Sequence, residues 1–596
     1  MGTLTTLHAA THPLAEATAH VSGSRAFTGP AVGHLRALGA TTERAEGEER
    51  AGPGRFSLAV PGLGAVRAEA VWADVLHGMD GADDEATVQA ATGVMAVHGR
   101  RDGSPRGLAV DYAATCASVL SVQGMLAALV GRARGGGTES VTTGADRAAL
   151  LAVSQYLAAA CAPEAEAAPV SPGGAPFTAA DGTRFELEAL EPAVWAGFWR
   201  ELGASPEAIR AGWRPFQFRY ATACAPLPEA LHTTTRGTAW ERIRQAAAVA
   251  GAAVCPLHAM ATHTGSPAPW TVEASGPWTA RPPLTAPDDP ARPLAGLLVL
   301  EAGRRIQAPL AAHLLSLLGA DVVRIEPPGG DPLRGMPPCC SDVSARWLAL
   351  NRHKRALEID IKSAAGRAEL RELASGADVF LHNWAPGKAE RLGLDAETFG
   401  AANPGLVYAY TSGWAGRLPD APTGTDFMVQ ARMGIGEAVR PLDEPPAPSL
   451  MTLVDVFGGL LGAEVVLAGL LLRERSGTGV RVESSLLGAA ETLTAAARYR
   501  RRPAGFRRPL PTADGWTAPT DGSATAAHGL HRSLTSPAKQ PNPTNRQVIT
   551  ALRERGLAAT PVTTDLASLP ADPRLSGALR RDSHGCVAVP SPWRFS

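Results

Sequence analysis

The sequence predicts an α/β protein built around a parallel, doubly wound sheet. Residues 299–326, VLEAGRRIQAPLAAHLLSLLGADVVRIE, have the pattern of a strand, a helix with apolar residues at helical spacing, and a second apolar strand. A strand–helix–strand unit of this kind places its two strands parallel in one sheet. Residues 21–46 repeat the pattern, and residues 378–381 and 406–409 predict two further short strands.

Local signals support the individual elements. Gly319 follows the predicted helix of this unit, at the position where glycine commonly ends a helix in the left-handed conformation. The apolar run Gly458–Leu472 contains Glu464 and is shorter than the roughly 20 residues that span a bilayer, so it predicts a buried core helix over 456–475. Residues 500–546 are rich in Pro, Arg, Thr and Ser and predict an irregular segment.

The chain also contains an internal repeat. Pro30 and His34 match Pro309 and His313 at one offset, and a second block repeats at a larger offset, where VQA at 88–90 matches VQA at 429–431. The growth of the offset indicates that the first copy lacks about 61 residues between the two blocks. Further matches at the larger offset pair Gly93, Leu126, Ala127, Leu129, Arg132, Arg134 and Gly136 with Gly434, Leu467, Ala468, Leu470, Arg473, Arg475 and Gly477.

Composition excludes several classes of function. Lys and Arg total 56 and Asp and Glu total 57, so the chain lacks the basic excess typical of proteins that bind nucleic acid or anionic membranes, and we expect neither partner. The seven cysteines are odd in number and form no C-x-x-C pair, which argues against a disulfide framework or a zinc site. A metal-free protein in a reducing, cytoplasmic location is the expectation.

Common catalytic motifs are missing from the sequence. It contains no G-x-S-x-G, H-E-x-x-H, Walker A or G-x-G-x-x-G pattern. Serine hydrolase, zincin, P-loop and dinucleotide-binding functions therefore have no support.

The second copy contains six motifs in a fixed order: APLAAHLLSLLGADVVRIEPPGGDPLR, LNRHKRALEIDIK, ADVFLHNWAPGKAERLGL, NPGLVYAYTSGW, GTDFMVQARMG and VDVFGGLLGAEVVLAGLLLRERSGTGVRVESSLLGAA. In these motifs and their order it resembles the class III CoA-transferase family, the CaiB/BaiF group that includes carnitine and formyl-CoA transferases and α-methylacyl-CoA racemases. The match covers about 290–495 well and 500–596 patchily, and the first copy resembles the same family more faintly over 20–280.

This resemblance implies a Rossmann-like large domain with a parallel sheet and a small α+β domain, in subunits that interlock as rings. Two fused and incomplete copies would form such a pair within one chain, an intramolecular pseudo-dimer that further oligomerisation could extend. The predicted boundaries are a truncated large domain at 1–165, a small domain at 166–264, a linker at 265–293, a complete large domain at 294–500, and a truncated small domain with a C-terminal return at 501–596.

The resemblance makes Asp455, which follows the Gln430 of the VQA stretch at the family's spacing, the catalytic nucleophile. Backbone N–H groups at the start of the following helix would stabilise the oxyanions formed there. The alternative is that Asp455 only caps that helix, since Asp is a favoured N-cap residue. At the larger repeat offset its counterpart is Ala114, which predicts a catalytically dead first copy, although Asp111 lies close by in the sequence and remains an alternative nucleophile.

Coenzyme A is the co-substrate that the family implies. Asn351 and Lys354 of the N-R-x-K motif, with Asn383, Trp384 and Arg391 of the N-W-x-P-G motif, fall in the regions that wrap CoA in the family, and Asp426 falls beside the substrate. For the cations the alternative is a solvated surface charge, and for Asp426 it is a structural hydrogen bond.

The predicted function is transfer of CoA from an acyl-CoA donor to a small carboxylic acid, through an aspartyl anhydride and an aspartyl-CoA thioester. Thr425 stands where the racemases have His, which argues against a racemase, and Ile306, Ala308 and Ala356 also depart from the family pattern. Acyl-transfer or lyase chemistry on the same scaffold, and a non-catalytic acyl-CoA-binding protein, are the alternatives. The identities of donor and acceptor stay open.

Overall fold

The computed structural model describes residues 12–44, 52–78, 83–260, 268–277, 286–498, 502–535 and 542–596. A sheet with helices packed on one face begins the chain. The parallel strands β1 and β2 are connected by helix α1, as the sequence predicts. An antiparallel hairpin, β3–β4, follows and pairs with β1. The elements are β1 (Thr18–Gly23), α1 (Arg25–Ala37), β2 (Thr41–Arg44), β3 (Gly54–Val60), β4 (Gly64–Val71), α2 (Glu85–Ala91), α3 (Val94–Gly99), α4 (Tyr112–Ala133), β5 (Ser140–Gly144), α5 (Ala145–Ala152) and α6 (Ser154–Ala160).

A smaller unit with a three-stranded antiparallel sheet follows. Its core is aromatic, with Trp195, Trp199 and Phe216 buried between the sheet and its helices. The elements are β6 (Phe177–Thr178), β7 (Arg184–Glu188), α7 (Pro192–Glu201), α8 (Pro206–Thr222), α9 (Glu229–Arg236), α10 (Trp240–Ala250) and β8 (Ala253–Pro256), and then a separate strand, β9 (Trp270–Pro277). β9 lies inside the segment predicted as a linker, 265–293, of which 265–267 and 278–285 fall outside the described residues.

The second half contains a seven-stranded sheet in the order β14-β11-β10-β15-β16-β17-β9, parallel except for β9. This confirms an α/β fold with a parallel sheet. The elements are β10 (Leu298–Ala302), α11 (Gln307–Leu317), β11 (Asp321–Glu326), β12 (Cys339–Cys340), β13 (Val343–Ser344), α12 (Ala345–Asn351), β14 (Arg355–Glu358), α13 (Ala364–Ser375), β15 (Val379–His382), α14 (Lys388–Leu392), α15 (Ala396–Ala402), β16 (Val407–Ser412), α16 (Asp426–Arg432), α17 (Ile435–Ala438), α18 (Leu453–Ser476), β17 (Thr478–Ser485) and α19 (Leu486–Ala497).

The C-terminal region is more regular than predicted. Within 500–546, where the sequence predicts irregular chain, two strands and a helix form, because Leu510 and Ala527 are buried in a small apolar cluster with Val548 and Leu552. The elements are β18 (Leu510–Thr512), β19 (Gly515–Pro519), α20 (Ala524–Leu534), α21 (Asn545–Arg553), β20 (Ala559–Pro561), β21 (Arg580–Arg581), β22 (Val587–Ala588) and β23 (Trp593–Phe595).

Each half completes the sheet of the other. β9, which follows the first half, pairs antiparallel with β17 of the second half, while β23 pairs antiparallel with β5 of the first half. The first sheet therefore has the order β2-β1-β3-β4-β5-β23. Two strand pairings therefore join the two halves.

Two long apolar helices, α4 and α18, lie side by side in the interior. The Tyr112 hydroxyl donates to the Leu453 carbonyl at 2.9 Å, and the Gln123 amide donates to the Leu460 carbonyl at 2.8 Å. Both helices are long and apolar enough to cross a membrane, but nearly all of their residues are buried within the protein. The prediction of a core helix over 456–475 is confirmed, and the helix begins slightly earlier than predicted, at Leu453.

Candidate active site

Asp455 is the third residue of α18. The helix begins at Leu453, directly after Thr452, whose φ of 51° places it in the left-handed region. The interpretation of Asp455 as the N-cap is therefore wrong: Thr452 occupies that position, and the Asp455 side chain makes no capping hydrogen bond. None of the described residues donates a hydrogen bond to the Asp455 carboxylate. This carboxylate is thus available to a substrate.

Asp426, the first residue of α16, supplies the cap instead. Its carboxylate accepts the backbone N–H groups of Val454 and Asp455, both at 2.8 Å, and a third hydrogen bond from the Gln430 amide. Its exposed fraction is 3%, so Asp426 has the structural hydrogen bonds that were the alternative, and its predicted contact with substrate stays a prediction. Because the N–H groups of Val454 and Asp455 are engaged by Asp426, they are not free to stabilise an oxyanion, contrary to expectation.

The surroundings of Asp455 favour its protonated form. Burial and the nearby Asp426 carboxylate raise the pKa of Asp455 to about 8, while the Arg305 guanidinium opposes this shift. Burial also raises the pKa of Asp426 to about 6, against the hydrogen bonds that it accepts. Burial disfavours the charged form of both carboxylates, and at Asp455 the negative charge of Asp426 adds to this effect.

A group from the first half reaches this site. Glu188, at the end of β7, accepts hydrogen bonds from Arg219 at 2.9 Å and from the Thr425 hydroxyl at 2.7 Å. Although burial acts in the opposite direction, Arg219 and Thr425 lower the pKa of Glu188. The Arg219 guanidinium also lies over the Phe427 ring, 4.6 Å from its centroid. The three-stranded unit of the first half therefore covers the start of α16.

The first half repeats the same hydrogen bonds at the positions that the internal repeat relates. Glu85 accepts the N–H groups of Ala113 at 2.8 Å and Ala114 at 2.9 Å, and also the Gln89 amide. Gln89 in turn accepts the N–H of Leu108, as Gln430 accepts that of Ser449. Glu85 and Ala114 thus occupy the positions of Asp426 and Asp455.

Asp111 is engaged elsewhere. Its carboxylate accepts a hydrogen bond at 2.5 Å from Arg507, a fully buried cation that also binds Asp521 and donates to the carbonyls of Leu108 and Val110. The geometrical counterpart of Asp455 is Ala114, and Asp111 corresponds to Thr452.

A group of cations lies near Trp384. The Lys388 ammonium is 5.4 Å from the centroid of the Trp384 ring, and burial together with the charges of Arg304, Lys362 and Arg391 lowers the pKa of Lys388. We refer to Arg304, Lys362, Lys388 and Arg391 as the basic cluster. Asn383 anchors it, because its side chain accepts the Arg304 N–H at 2.8 Å and donates to the Arg304 carbonyl at 2.9 Å.

Comparison with known proteins identifies the family. The family model for CoA-transferase family III matches residues 77–271 and 294–532, which together make up most of the chain. The chain belongs to CoA-transferase family III.

Individual relatives match this family member over part of its length. The succinyl-CoA:glutarate CoA-transferase of Mus musculus is 33% identical over 217 residues, 36% of this chain and 49% of that protein. The acetyl-CoA:oxalate CoA-transferase of Acetobacter aceti is 35% identical over 206 residues, 34% of this chain and 53% of that protein. The chain thus spans about half the length of these curated relatives. A crystal structure of a CAIB/BAIF family protein from Brucella suis aligns with 51% of this chain and 93% of that chain, at 26% identity and a TM-score of 0.44.

Two residues predicted to bind CoA lie in the interior of the protein. The Lys354 ammonium, with 1% of its side chain exposed, donates to Glu301 at 3.0 Å, to the Pro309 carbonyl at 2.7 Å and to Asn351 at 2.8 Å. Asn351 donates in turn to the Trp347 carbonyl at 2.9 Å. This is a correction for both residues: their polar atoms hold α11 and α12 to β10, and Lys354 has no free N–H for a phosphate.

Several residues near Asp455 and in the basic cluster were not predicted from the sequence. Arg305, Glu188 and Arg219 influence Asp455 or its neighbours, and Arg304, Lys362 and Lys388 complete the basic cluster. The adjacent Arg304 and Arg305, just after β10, could have been recognised in the sequence as candidate binding residues. Glu188 could not, because it lies far from Asp455 in the sequence.

A cavity of about 1170 Å³ lies along the face of α1 that carries Pro30 and His34, and Glu491 and Thr492 of α19 line its other side. In the second half the equivalent residues are covered, since Lys354 donates to the Pro309 carbonyl and the Arg352 backbone bonds His313. Across the described ranges, no group of three or more His, Cys, Asp or Glu side chains is arranged to hold a metal ion; the absence of a metal stays a prediction.

Proposed function

We propose that this chain transfers CoA from an acyl-CoA to a carboxylic acid, with Asp455 as the covalent nucleophile. The observation that carries the proposal is the carboxylate of Asp455, which has no hydrogen-bond donor from a described residue and stands on a helix start held by Asp426. A carboxylate withdrawn from water is a stronger nucleophile once it is ionised.

The reaction would proceed in four balanced steps. The Asp455 carboxylate attacks the thioester carbonyl, which gives a mixed anhydride and the CoA thiolate. The thiolate attacks the aspartyl carbonyl and releases the donor acid as its carboxylate. The acceptor carboxylate attacks the aspartyl-CoA thioester and again frees the thiolate. The thiolate then attacks the acceptor carbonyl of the new anhydride and regenerates Asp455.

CoA would lie between the basic cluster and Asp455. Arg304 belongs to the cluster and the next residue, Arg305, influences Asp455, so one short loop connects the two places. Arg391 and Lys388 would bind the phosphates, because guanidinium and ammonium groups suit these anions, while Trp384 and Asn383 support the cluster. Lys354 and Asn351 are not part of this proposal.

We further propose that the chain is a fused pair with one catalytic site. The recurrence of the Asp426 hydrogen bonds at Glu85 and the exchange of β9 and β23 support a duplicated, interlocked arrangement. Ala114 would leave the first copy without a nucleophile. The seven cysteines are free thiols, which fits a reducing, cytoplasmic location.

Covalent trapping tests the mechanism. Wild-type protein incubated with acetyl-, propionyl- or succinyl-CoA is expected to gain a CoA adduct by intact mass, and hydroxylamine should convert Asp455 to a hydroxamate that peptide mapping locates. Asp455→Asn should give no adduct, whereas the matched variant Asp111→Asn should retain it.

Other outcomes discriminate among the alternatives. CoA binding without any adduct would favour a non-catalytic acyl-CoA-binding protein. An acylated Asp455 that passes its acyl group on without forming the CoA thioester would indicate acyl-transfer or lyase chemistry. An adduct at Asp111 would contradict the assignment of Asp455.

A further inference from the structure

We propose that Arg305 forms a carboxylate-binding subsite beside Asp455, so that the acids exchanged at this site are dicarboxylic acids. The inference rests on the proposed function, since it assigns the substrate class of the same site. Arg305 would bind the carboxylate that does not react.

The backbone around Arg305 is held on both sides. Asn383 bonds both the N–H and the carbonyl of the preceding residue, Arg304. Gln307, two residues later, begins α11 and donates through its side chain to the Ser412 carbonyl at 3.3 Å. Arg305 itself has a φ of 62°, a left-handed conformation that costs a non-glycine residue roughly 1 kcal/mol or more. A costly conformation between two fixed points gives the side chain a defined direction.

The loop that carries Arg305 lies against the start of α18. Gln307 lies against Gly458 in the first turns of α18, where a Cβ on Gly458 would stand 3.0 Å from the Gln307 side-chain nitrogen. Asp455 is one turn before Gly458 on the same helix. The charge of Arg305 accordingly acts on Asp455 and Glu188, and on Tyr220.

Arg305 is also an uncommitted cation. It is exposed, and no hydrogen bond or ion pair with another described residue engages its guanidinium. The other charged groups that face Asp455 are occupied: Arg219 binds Glu188, and Asp426 accepts backbone N–H groups. An incoming anion therefore meets one available guanidinium among several carboxylates.

The first half provides an internal comparison. Leu298 pairs with Asp321 in the second half as Thr18 pairs with Thr41 in the first, and in this register Arg305 corresponds to Arg25. The first half thus keeps an arginine at this place and the acid and amide that hold the helix start, Glu85 and Gln89, but has Ala114 at the position of Asp455. Arg25 lines a cavity together with Glu85 and Asp111, so Arg25→Gln is the matched change in the half that has no carboxylate at residue 114.

The chemistry favours a second carboxylate as the ligand. The reacting carboxyl group is neutralised as an anhydride or thioester, so it gives Arg305 no lasting partner. A remote carboxylate stays ionised throughout, and its two oxygens match the planar fork of a guanidinium. A monocarboxylic acid of the same length would leave Arg305 without a partner in the site.

The test compares matched substrates in the covalent half-reaction. The rate of CoA-adduct formation at Asp455 is measured with glutaryl-CoA and with pentanoyl-CoA, which have similar chain lengths but differ in the terminal carboxylate. The proteins are wild type, Arg305→Gln, Arg305→Lys and, as a control in the first half, Arg25→Gln at the start of α1. Full turnover with glutarate or pentanoate as acceptor repeats the comparison.

We expect wild type to favour glutaryl-CoA by at least about tenfold, the scale on which an ion pair discriminates between ligands. Arg305→Gln should reduce the rate with glutaryl-CoA by about 100-fold and leave that with pentanoyl-CoA within about threefold. Arg305→Lys should recover part of the loss, and Arg25→Gln should behave as wild type.

Two results would overturn the inference separately from the proposed function. Adducts that form from both donors with equal rates in wild type, or equal losses for both donors in Arg305→Gln, would disprove the subsite while the transferase mechanism stands. The absence of an Asp455 adduct from either donor in wild type would remove the mechanism and the subsite together.

Discussion

The two large sheets of the molecule start from the same strand–helix–strand unit but differ in how their faces are covered. In the second half, β10, β11 and β15 are buried on both faces and consist of nearly continuous buried residues. In the first half, β3 and β4 alternate between buried and exposed residues, and the outer face carries polar side chains such as Arg55, Arg67 and Glu69. A sheet covered on both faces has strands of continuous apolar residues, whereas a sheet with one face in water has strands that alternate between apolar and polar residues.

A second contrast lies at the starts of the long helices. Asp426 and Glu85 make equivalent hydrogen bonds, yet only the second half places a carboxylate beside them, at Asp455 rather than Ala114. The hydrogen bonds that hold the helix start thus occur in both halves, whereas the carboxylate proposed to react occurs in the second half alone. In the first half a buried cation, Arg507, lies near the acid, whereas Asp455 faces the exposed Arg305.

Removal of Arg507 should have the largest effect on stability. Arg507→Ala would leave Asp111 and Asp521 without their cation in a buried place, and we expect a loss of about 3–5 kcal/mol in the free energy of unfolding. Chemical denaturation measures it. The neighbouring Arg508, 42% exposed, pairs with Asp443, so Arg508→Ala should cost less than about 1 kcal/mol. Equal losses in the free energy of unfolding for Arg507→Ala and Arg508→Ala would contradict the prediction that the buried cation contributes more than the exposed one.

Substitution of the two equivalent acids should separate activity from structure. Asp426→Asn would weaken the hold on the Val454 and Asp455 N–H groups, and we expect kcat to fall about 100-fold, close to 3 kcal/mol, with KM for the acyl-CoA unchanged. Glu85→Gln, the matched change in the first half, should alter kcat less than about threefold. Steady-state kinetics distinguishes the two, and a large effect of Glu85→Gln on kcat would show that the first half takes part in turnover.

The carboxyl group of Asp455 should lower the stability of the folded protein in a pH-dependent way. Burial and Asp426 raise the pKa of Asp455 to about 8, so the folded state holds a proton that the unfolded state releases above about pH 4. Stability attributable to Asp455 therefore falls as pH rises from about 4 to about 8. Asp455→Asn should match wild type near pH 4 and be more stable by about 1–3 kcal/mol at pH 8.

Thermal or denaturant unfolding across this pH range provides the measurement, with Asp111→Asn as the control. A constant difference between Asp455→Asn and wild type at all pH values would contradict the raised pKa. The transferase rate of the wild type should rise with pH as Asp455 ionises.

Restoring a carboxylate in the first half should have the smallest effect. Ala114→Asp would place a carboxylate beside Glu85, where the nearby buried cation, Arg507, is already engaged by Asp111 and Asp521. We expect no second CoA adduct by intact mass and an unchanged turnover number. A second adduct at residue 114 would show that the acid framework alone is enough for reaction.

The sequence predicted what depends on local pattern. The β10–α11–β11 unit, the end of its helix at Gly319 and the core helix α18 follow from apolar periodicity and glycine placement. The exchange of β9 and β23 was not predictable, because it joins strands distant in sequence. At the site, motif order pointed to Asp455, but only three-dimensional contacts reveal that Asp426 caps α18 and that Lys354 is saturated by Glu301 and its neighbours.

The pairing of β23 with β5 bears on how the protein is made. Trp593 is buried against α4, with its indole N–H donating to the Leu120 carbonyl at 2.8 Å, so a long stretch of synthesis separates the first sheet from its edge strand. Until that strand emerges from the ribosome, β5 presents an unpaired edge, the kind of surface on which nascent chains associate with one another. The N-terminal half is therefore expected to need the completed chain, or a chaperone in the interval, to reach its final form.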